Sequence, residues 1–111
     1  GQNYLKSGNW AQAKIAFQAA IKRAPKDPTA HAGLGRVAFQ QGQYKEAARH
    51  YLRAIRQGGP NAKYRERIGV AYFKMKKYKR AKGHLEKALK AKPGNKRLIK
   101  YLKLVNKRMA K

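Results

Sequence analysis

A 34-residue period constrains the fold of this chain more than any other feature of its sequence. Three aromatic residues, Trp10, Tyr44 and Tyr78, stand 34 residues apart. Further sets with the same spacing keep their size class: Gly1, Gly35 and Gly69; Ala13, Ala47 and Ala81; Phe17, Tyr51 and Leu85. A period of this length is typical of stacked repeats, which build binding surfaces more often than catalytic sites.

Helical periodicity fills the intervals between the Pro and Gly residues, and no segment shows a sustained strand-like alternation. We predict seven helices, at 1–7, 10–24, 28–41, 44–58, 62–75, 78–91 and 95–110. Short connections force neighbouring helices to run antiparallel. The sequence therefore predicts an all-α stack of helix pairs with one concave face.

Polar residues and glycines mark the ends of these helices. Asn9, Asp27, Asn61 and Asn95 can each cap a following helix, and Pro28 suits a first helical position. Gly8 and Gly42 suit left-handed turns between the two helices of a pair. Lys76 stands at the matching place in the third unit, so we expect its turn to differ.

The second and third units share a motif. The second reads Leu34-Gly35-x-x-Ala38, then Tyr44, Ala47, Tyr51, Ala54 and Pro60; the third reads Ile68-Gly69-x-x-Tyr72, then Tyr78, Ala81, Leu85, Ala88 and Pro93. This motif resembles the tetratricopeptide repeat (TPR), whose signature is L-G-x-x-Y, A-x-x-x-F and a closing Pro. Ala38 replaces the usual Tyr, and Pro60 is shifted by one place.

The resemblance implies a right-handed superhelical stack of antiparallel helix pairs. Its units would be a first repeat truncated at its start (1–27), complete repeats at 28–61 and 62–95, and a basic capping helix at 96–111. Since the chain starts with Gly part-way through a repeat, we interpret it as a fragment of a longer protein. No apolar run has the length of a membrane span, and we expect a cytoplasmic protein.

The charge of the chain is strongly one-sided. It has 29 Lys and Arg residues against 4 Asp and Glu, a formal net charge of +25. The excess is uneven: residues 1–61 carry 10 basic and 2 acidic residues, and residues 62–111 carry 19 and 2. An anionic partner is the natural inference.

Residues that could support catalysis are scarce. The four acids are isolated in sequence, no phosphate-binding glycine loop occurs, and the absence of Cys excludes thiolate metal sites. His50 and His84 are 34 residues apart and could meet on stacked helices, but nothing nearby completes a metal site. We therefore predict no catalytic residue, no metal, no cofactor and no small-molecule substrate.

The resemblance places the first helix of each pair on the concave face. The candidate peptide-binding residues there are Leu5, Lys6, Arg36, Phe39, Gln40, Lys63, Arg67, Val70, Phe73 and Lys74. An apolar stripe of Leu5, Phe39 and Phe73 flanked by basic groups suits a peptide with apolar anchors and acidic neighbours. Alternatively, the stripe covers the core between helices.

One subgroup of the family uses a carboxylate clamp that grips the acidic C-terminus of chaperones. Lys63 and Arg67 match the basic pair of its third repeat. Gly33 and Gln2, however, stand where the clamp needs Asn. The resemblance to this subgroup is therefore incomplete.

A second candidate surface is a basic patch in the last third of the chain. Its members are Lys77, Lys79, Arg80, Lys82, Lys100, Lys103 and Lys107. A solvated end helix would explain their polarity but not their single sign. Lys outnumbers Arg 19 to 10, which favours a diffuse electrostatic surface over sequence readout of nucleic acid.

Together these features predict a non-enzymatic, monomeric protein-interaction module. It would bind an acidic protein or peptide on its concave face, and its basic last third would steer association. The alternative is binding of nucleic acid or anionic lipid through the capping helix and the sixth helix.

Overall fold

The chain folds as consecutive α-helices, in a computed structural model that describes residues 10–110. The helices are α1 (Trp10–Arg23), α2 (Pro28–Gln40), α3 (Tyr44–Gly58), α4 (Ala62–Lys74), α5 (Tyr78–Ala91) and α6 (Lys96–Met109). Residues 10–110 contain no strand. The prediction of an all-α fold is confirmed, and six of the seven predicted helices end within one residue of their predicted bounds. The predicted helix 1–7 lies outside the described residues.

Three of the predicted helix caps are present. The Oδ1 atoms of Asp27, Asn61 and Asn95 accept hydrogen bonds of 2.9, 3.0 and 3.1 Å from backbone N–H groups in the first turns of α2, α4 and α6. These bonds satisfy amides that have no partner inside the helix. The residues just before α3 and α5 are Gln43 and Lys77, and their side chains form no capping hydrogen bond. Asn9 and Gly8 lie outside the described residues.

The turn at Lys76 does not differ from the turn at Gly42, contrary to expectation. Gly42 has φ +78° and Lys76 has φ +64°, both in the left-handed region. In each turn, the N–H of this residue donates to a carbonyl three residues back, that of Phe39 or Phe73. Packing of the helix pair thus imposes the left-handed conformation on a residue whose side chain disfavours it.

Each helix packs against its neighbours in sequence, α1 on α2 through to α5 on α6. Glycines allow the closest approaches inside the pairs. A Cβ atom on Gly35 would lie 2.9 Å from Tyr51 Cδ2, and one on Gly69 would lie 2.6 Å from Leu85 Cγ. The large and small residues of the 34-residue period therefore meet each other across each pair.

α6 closes the core against α5 and α4. Its Leu98 and Val105 are 1% and 0% exposed and pack with Leu85. Arg97 Nη1 donates to Glu66 Oε2 on α4 at 3.0 Å. None of the helices within residues 10–110 has the length and apolarity to cross a membrane.

Candidate functional site

A groove of about 280 Å³ opens between α2 and α4, the first helices of the second and third units. Its lining combines three cationic side chains, three aromatic rings and a patch of small residues: Arg36, Lys63 and Arg67; Phe17, Tyr51 and Tyr64; Thr29, Ala32 and Gly33. None of its lining residues within 10–110 is acidic. The groove therefore offers positive charge beside aromatic surface.

The cationic side chains of the groove were all predicted to be on the concave face. Arg36 and Lys63 are exposed, and Arg67 is half-buried. The Arg67 guanidinium carbon lies 5.4 Å from the centroid of the Phe39 ring, a cation–π arrangement. Phe39 does not line the groove itself, but its ring contacts the Arg67 guanidinium, which does.

The aromatic wall of the groove was not predicted. Tyr51 and Tyr64 lie with ring centroids 5.5 Å apart and planes at 37°. Burial raises the pKa of the Tyr51 phenol above its ordinary value, so this hydroxyl stays protonated and able to donate. In the sequence, Phe17 and Tyr51 stand at positions that the period assigns to the core, which concealed their second role.

Gly33 on α2 packs directly against the ring of Phe17 on α1. A Cβ atom on Gly33 would lie 2.4 Å from Phe17 Cε1, so only glycine fits here without moving the ring. In the carboxylate-clamp subgroup, this position was expected to carry Asn. A glycine inside a helix, away from its end, is a sequence signal for such a close approach.

The apolar residues predicted for the concave face differ in their exposure. Val70 is only 6% exposed, so it offers almost no surface to a ligand. Phe39 packs edge-on to Tyr44, with centroids 5.4 Å apart. Phe73 packs edge-on to Tyr78 and Tyr101 at 5.7 and 5.8 Å. Phe39 and Phe73 are thus half-buried and support the helices next to the groove.

Two further predicted concave residues lie apart from the groove. Gln40 and Lys74 are exposed at the last residues of α2 and α4 and do not line it. Leu5 and Lys6 lie outside the described residues. Of the eight residues predicted for this face that the structure describes, it therefore brings together Arg36, Lys63 and Arg67 in the groove.

The predicted basic patch occupies two helices. Lys77, Lys79 and Arg80 are exposed around the start of α5, where Lys82 is half-buried. Lys100, Lys103 and Lys107 are exposed on α6, and they line a second, open groove of about 330 Å³ together with Lys96, Ile99 and Leu104. The α5 members of the patch do not line that groove.

His50 and His84 occupy different surroundings. Arg65 Nη1 donates to His84 Nδ1 at 3.0 Å, and the His84 ring stacks on Tyr72. The pKa of His84 is lowered to about 4, mainly by burial and to a smaller extent by the positive charges of Arg65 and Lys87. The pKa of His50 is also lowered, mainly by burial and secondly by Arg49, while the negative charge of Glu46 partly offsets this lowering. No cluster of three His, Cys, Asp or Glu residues that could hold a metal ion occurs within residues 10–110.

Comparison with known families identifies this architecture. Residues 1–63 match one family model of the tetratricopeptide repeat, and residues 62–95 match a second. The chain belongs to the tetratricopeptide repeat family. No curated protein matches it in sequence.

Three solved structures share the fold. The first TPR of Spaghetti (RPAP3), bound to the HSP90 peptide SRMEEVD, has a TM-score of 0.92 at 22% identity over 100% of this chain and 88% of that one. The second TPR domain of human RPAP3, in complex with the HSP70 peptide SGPTIEEVD, has a TM-score of 0.86 at 24% identity over 96% and 88%. PcrH, in complex with the chaperone binding region of PopD, has a TM-score of 0.86 at 19% identity over 98% and 87%.

Proposed function

We propose that this chain is a non-enzymatic TPR module that binds an acidic peptide segment in the groove between α2 and α4. The observation that carries the proposal is the convergence of Arg36, Lys63 and Arg67 on one groove that has no acidic lining residue. Three cations without a counter-charge favour an anionic ligand.

The groove offers each part of such a peptide a partner. Carboxylates pair with the exposed Arg36 and Lys63 and with the Arg67 guanidinium, which Phe39 holds from one side. An apolar side chain packs on the Phe17 and Tyr64 rings. The protonated Tyr51 hydroxyl supplies a neutral donor. The preferred ligand is therefore an acidic segment with an apolar or aromatic anchor.

Two similar structures support an acidic ligand without fixing its identity. They hold the peptides SRMEEVD and SGPTIEEVD, each rich in carboxylates near its end. Gly33 and Phe17 distinguish this groove from the carboxylate-clamp pattern, because the ring occupies the space that a larger side chain would need. We infer that this chain grips carboxylates mainly by charge and aromatic packing.

The basic last third of the chain steers association in this proposal. Residues 75–111 carry 15 basic residues and 1 acidic residue. A surface of one sign raises the rate at which an acidic partner arrives, and salt weakens this effect. The same one-sided charge disfavours close contact between two copies, consistent with a monomer.

Fluorescence anisotropy with labelled SRMEEVD and with SRMQQVN, its counterpart without side-chain carboxylates, tests the proposal. The protein is compared with the double variant Arg36→Gln/Lys63→Gln and with a matched control, Lys45→Gln/Arg53→Gln, whose residues are exposed on α3. We expect the groove variant to weaken binding of the acidic peptide about 30-fold, and the control to weaken it less than about threefold.

Two further comparisons sharpen the test. SRMQQVN should bind the unaltered protein far more weakly than SRMEEVD. Amidating the C-terminus of SRMEEVD asks whether the terminal carboxylate matters. Equal losses in the groove variant and its control would contradict the proposed site, because they would show that net charge alone governs binding.

A further inference from the structure

The outer side of α6 carries a second groove that the peptide-binding proposal does not use. Lys96, Lys100, Lys103 and Lys107 form its middle, within about 60° of one another around the helix, and the half-buried Ile99 and Leu104 lie on either side of them. These lysines span about 16 Å along the helix axis, and Ile99 and Leu104 are about 7.5 Å apart along that axis and about 140° apart around it. The opposite side of α6 packs on α5 and touches α4. No described helix covers the outer side that carries this groove.

We propose that this outer groove docks an acidic amphipathic helix of a partner protein. Carboxylates of that helix lie over the four lysines, and apolar side chains beside those carboxylates pack on Ile99 and Leu104. The charge is complementary throughout, since no acidic residue occurs on α6. A helix is the fitting occupant, because every other interface in this stack joins one amphipathic helix to another.

A second copy of this chain does not fit the groove. The chain contains only four acidic residues. Two of them are engaged already, Glu46 with Arg49 and Glu66 with Arg97. No described helix of another copy can therefore present an acidic face to these lysines.

A membrane surface fits less well than a helix. A helix that lies in the lipid interface needs a broad apolar face. The main apolar side chains of α6, Leu98 and Val105, are fully used in the stack, being 1% and 0% exposed. Ile99 and Leu104 alone give lipid a narrow contact, but they suit the one or two apolar side chains of a docked helix.

Nucleic acid also fits less well. Single strands stack on aromatic rings, and Arg forks suit phosphate. The groove is bordered by lysines and contains neither an Arg nor an aromatic residue. Phosphates would leave the Ile99 and Leu104 side chains without a partner.

The test uses three labelled probes at about 0.15 M salt, where exposed charges are screened beyond about 8 Å. The first is a synthetic helical peptide with glutamates along one face and leucines on both sides of that face, together with a counterpart in which serine replaces each leucine. The second is a poly(U) RNA oligonucleotide, and the third is a vesicle of phosphatidylcholine and phosphatidylserine.

Four double variants locate the binding. Ile99→Ser/Leu104→Ser removes the apolar pair, and Lys100→Gln/Lys103→Gln removes two of the charges. Lys22→Gln/Lys45→Gln is the matched charge control on α1 and α3, and Arg36→Gln/Lys63→Gln reports on the groove between α2 and α4. Circular dichroism verifies that each variant folds; if the serine variant fails to fold, the lysine variant and the serine peptide carry the test.

We expect the leucine peptide to lose about tenfold in affinity with either α6 variant and less than about twofold with the other two variants. The serine peptide should bind at least about tenfold more weakly than the leucine peptide. Three results would overturn the proposal: equal binding of the two peptides, loss of binding in the Arg36/Lys63 variant instead, or tighter binding of the RNA or the vesicle than of the leucine peptide.

Discussion

The second and third TPR units have the same scaffold but different surroundings. Gly35 faces Tyr51 in the second unit, and Gly69 faces Leu85 in the third. Residues 28–61 carry 5 basic residues and 1 acidic residue, whereas residues 62–95 carry 12 and 2. The period therefore repeats the packing but not the charge.

This difference shows where function can arise in a repeat stack. Tyr51 belongs to the core and also lines the groove, while Leu85 is 0% exposed and belongs to the core alone. The groove forms at one boundary between units because residues there depart from the repeat. Variants at matched positions of the two units measure how these differences in surroundings affect stability.

The largest expected difference concerns the two helical glycines. We expect Gly69→Ala to lower the free energy of unfolding by about 2 kcal/mol, since the new Cβ would overlap the fully buried Leu85. Gly35→Ala should cost at most about 1 kcal/mol, because the Tyr51 ring borders an open groove and can tilt into it. Chemical denaturation of both variants checks the order; a larger loss for Gly35→Ala would contradict it.

The two histidines should differ in their effect on acid stability. The pKa of His84 is lowered to about 4 in the folded chain, below the value of about 6.5 expected when it is unfolded. The unfolded chain therefore binds this proton first as the pH falls, and stability is lost between those two values. We expect a loss of about 1–2 kcal/mol, because solvent weakens the effect at a half-buried site.

Chemical denaturation at about pH 7, 6, 5 and 4.5 measures how steeply the free energy of unfolding falls with decreasing pH, and we call this fall the pH slope. His84→Gln should remove most of it, whereas His50→Gln should remove less, since Glu46 opposes the lowering of the His50 pKa. An unchanged slope in His84→Gln would show that other groups control acid stability.

The smallest expected difference concerns the two left-handed turns. Lys76→Gly should raise the free energy of unfolding by about 0.5 kcal/mol, because it relieves a side chain at φ +64°. Gly42→Lys should lower it by about 1 kcal/mol for the same reason. Thermal unfolding of the two variants detects both signs, and a destabilised Lys76→Gly would indicate that the lysine side chain makes a compensating contact.

Much of the fold could be predicted from the sequence because the controlling signals are local and periodic. Asp27, Asn61 and Asn95 start helices where a cap was expected. The turn at Lys76 could not be predicted, since helix packing overrides the local preference of the residue. Local chemistry thus fixes where helices start, and packing fixes the conformation between them.

The groove could be predicted only in part. Arg36, Lys63 and Arg67 follow from their places on the first helix of each pair. Phe17 and Tyr51 come from the second helices, and only the crossing of neighbouring units shows that their rings reach the groove. Val70 was predicted for this face but is only 6% exposed, and its place on the helix did not reveal this burial.

The central claim is that charge and aromatic surface converge in the groove between α2 and α4 to hold an acidic peptide. Two-dimensional NMR of the ¹⁵N-labelled protein, titrated with SRMEEVD, tests it most directly. The account predicts that the largest shift changes fall on Thr29, Arg36, Lys63 and Arg67, with little change on α6. Shift changes centred on α5 and α6, or spread evenly over the basic residues, would contradict it.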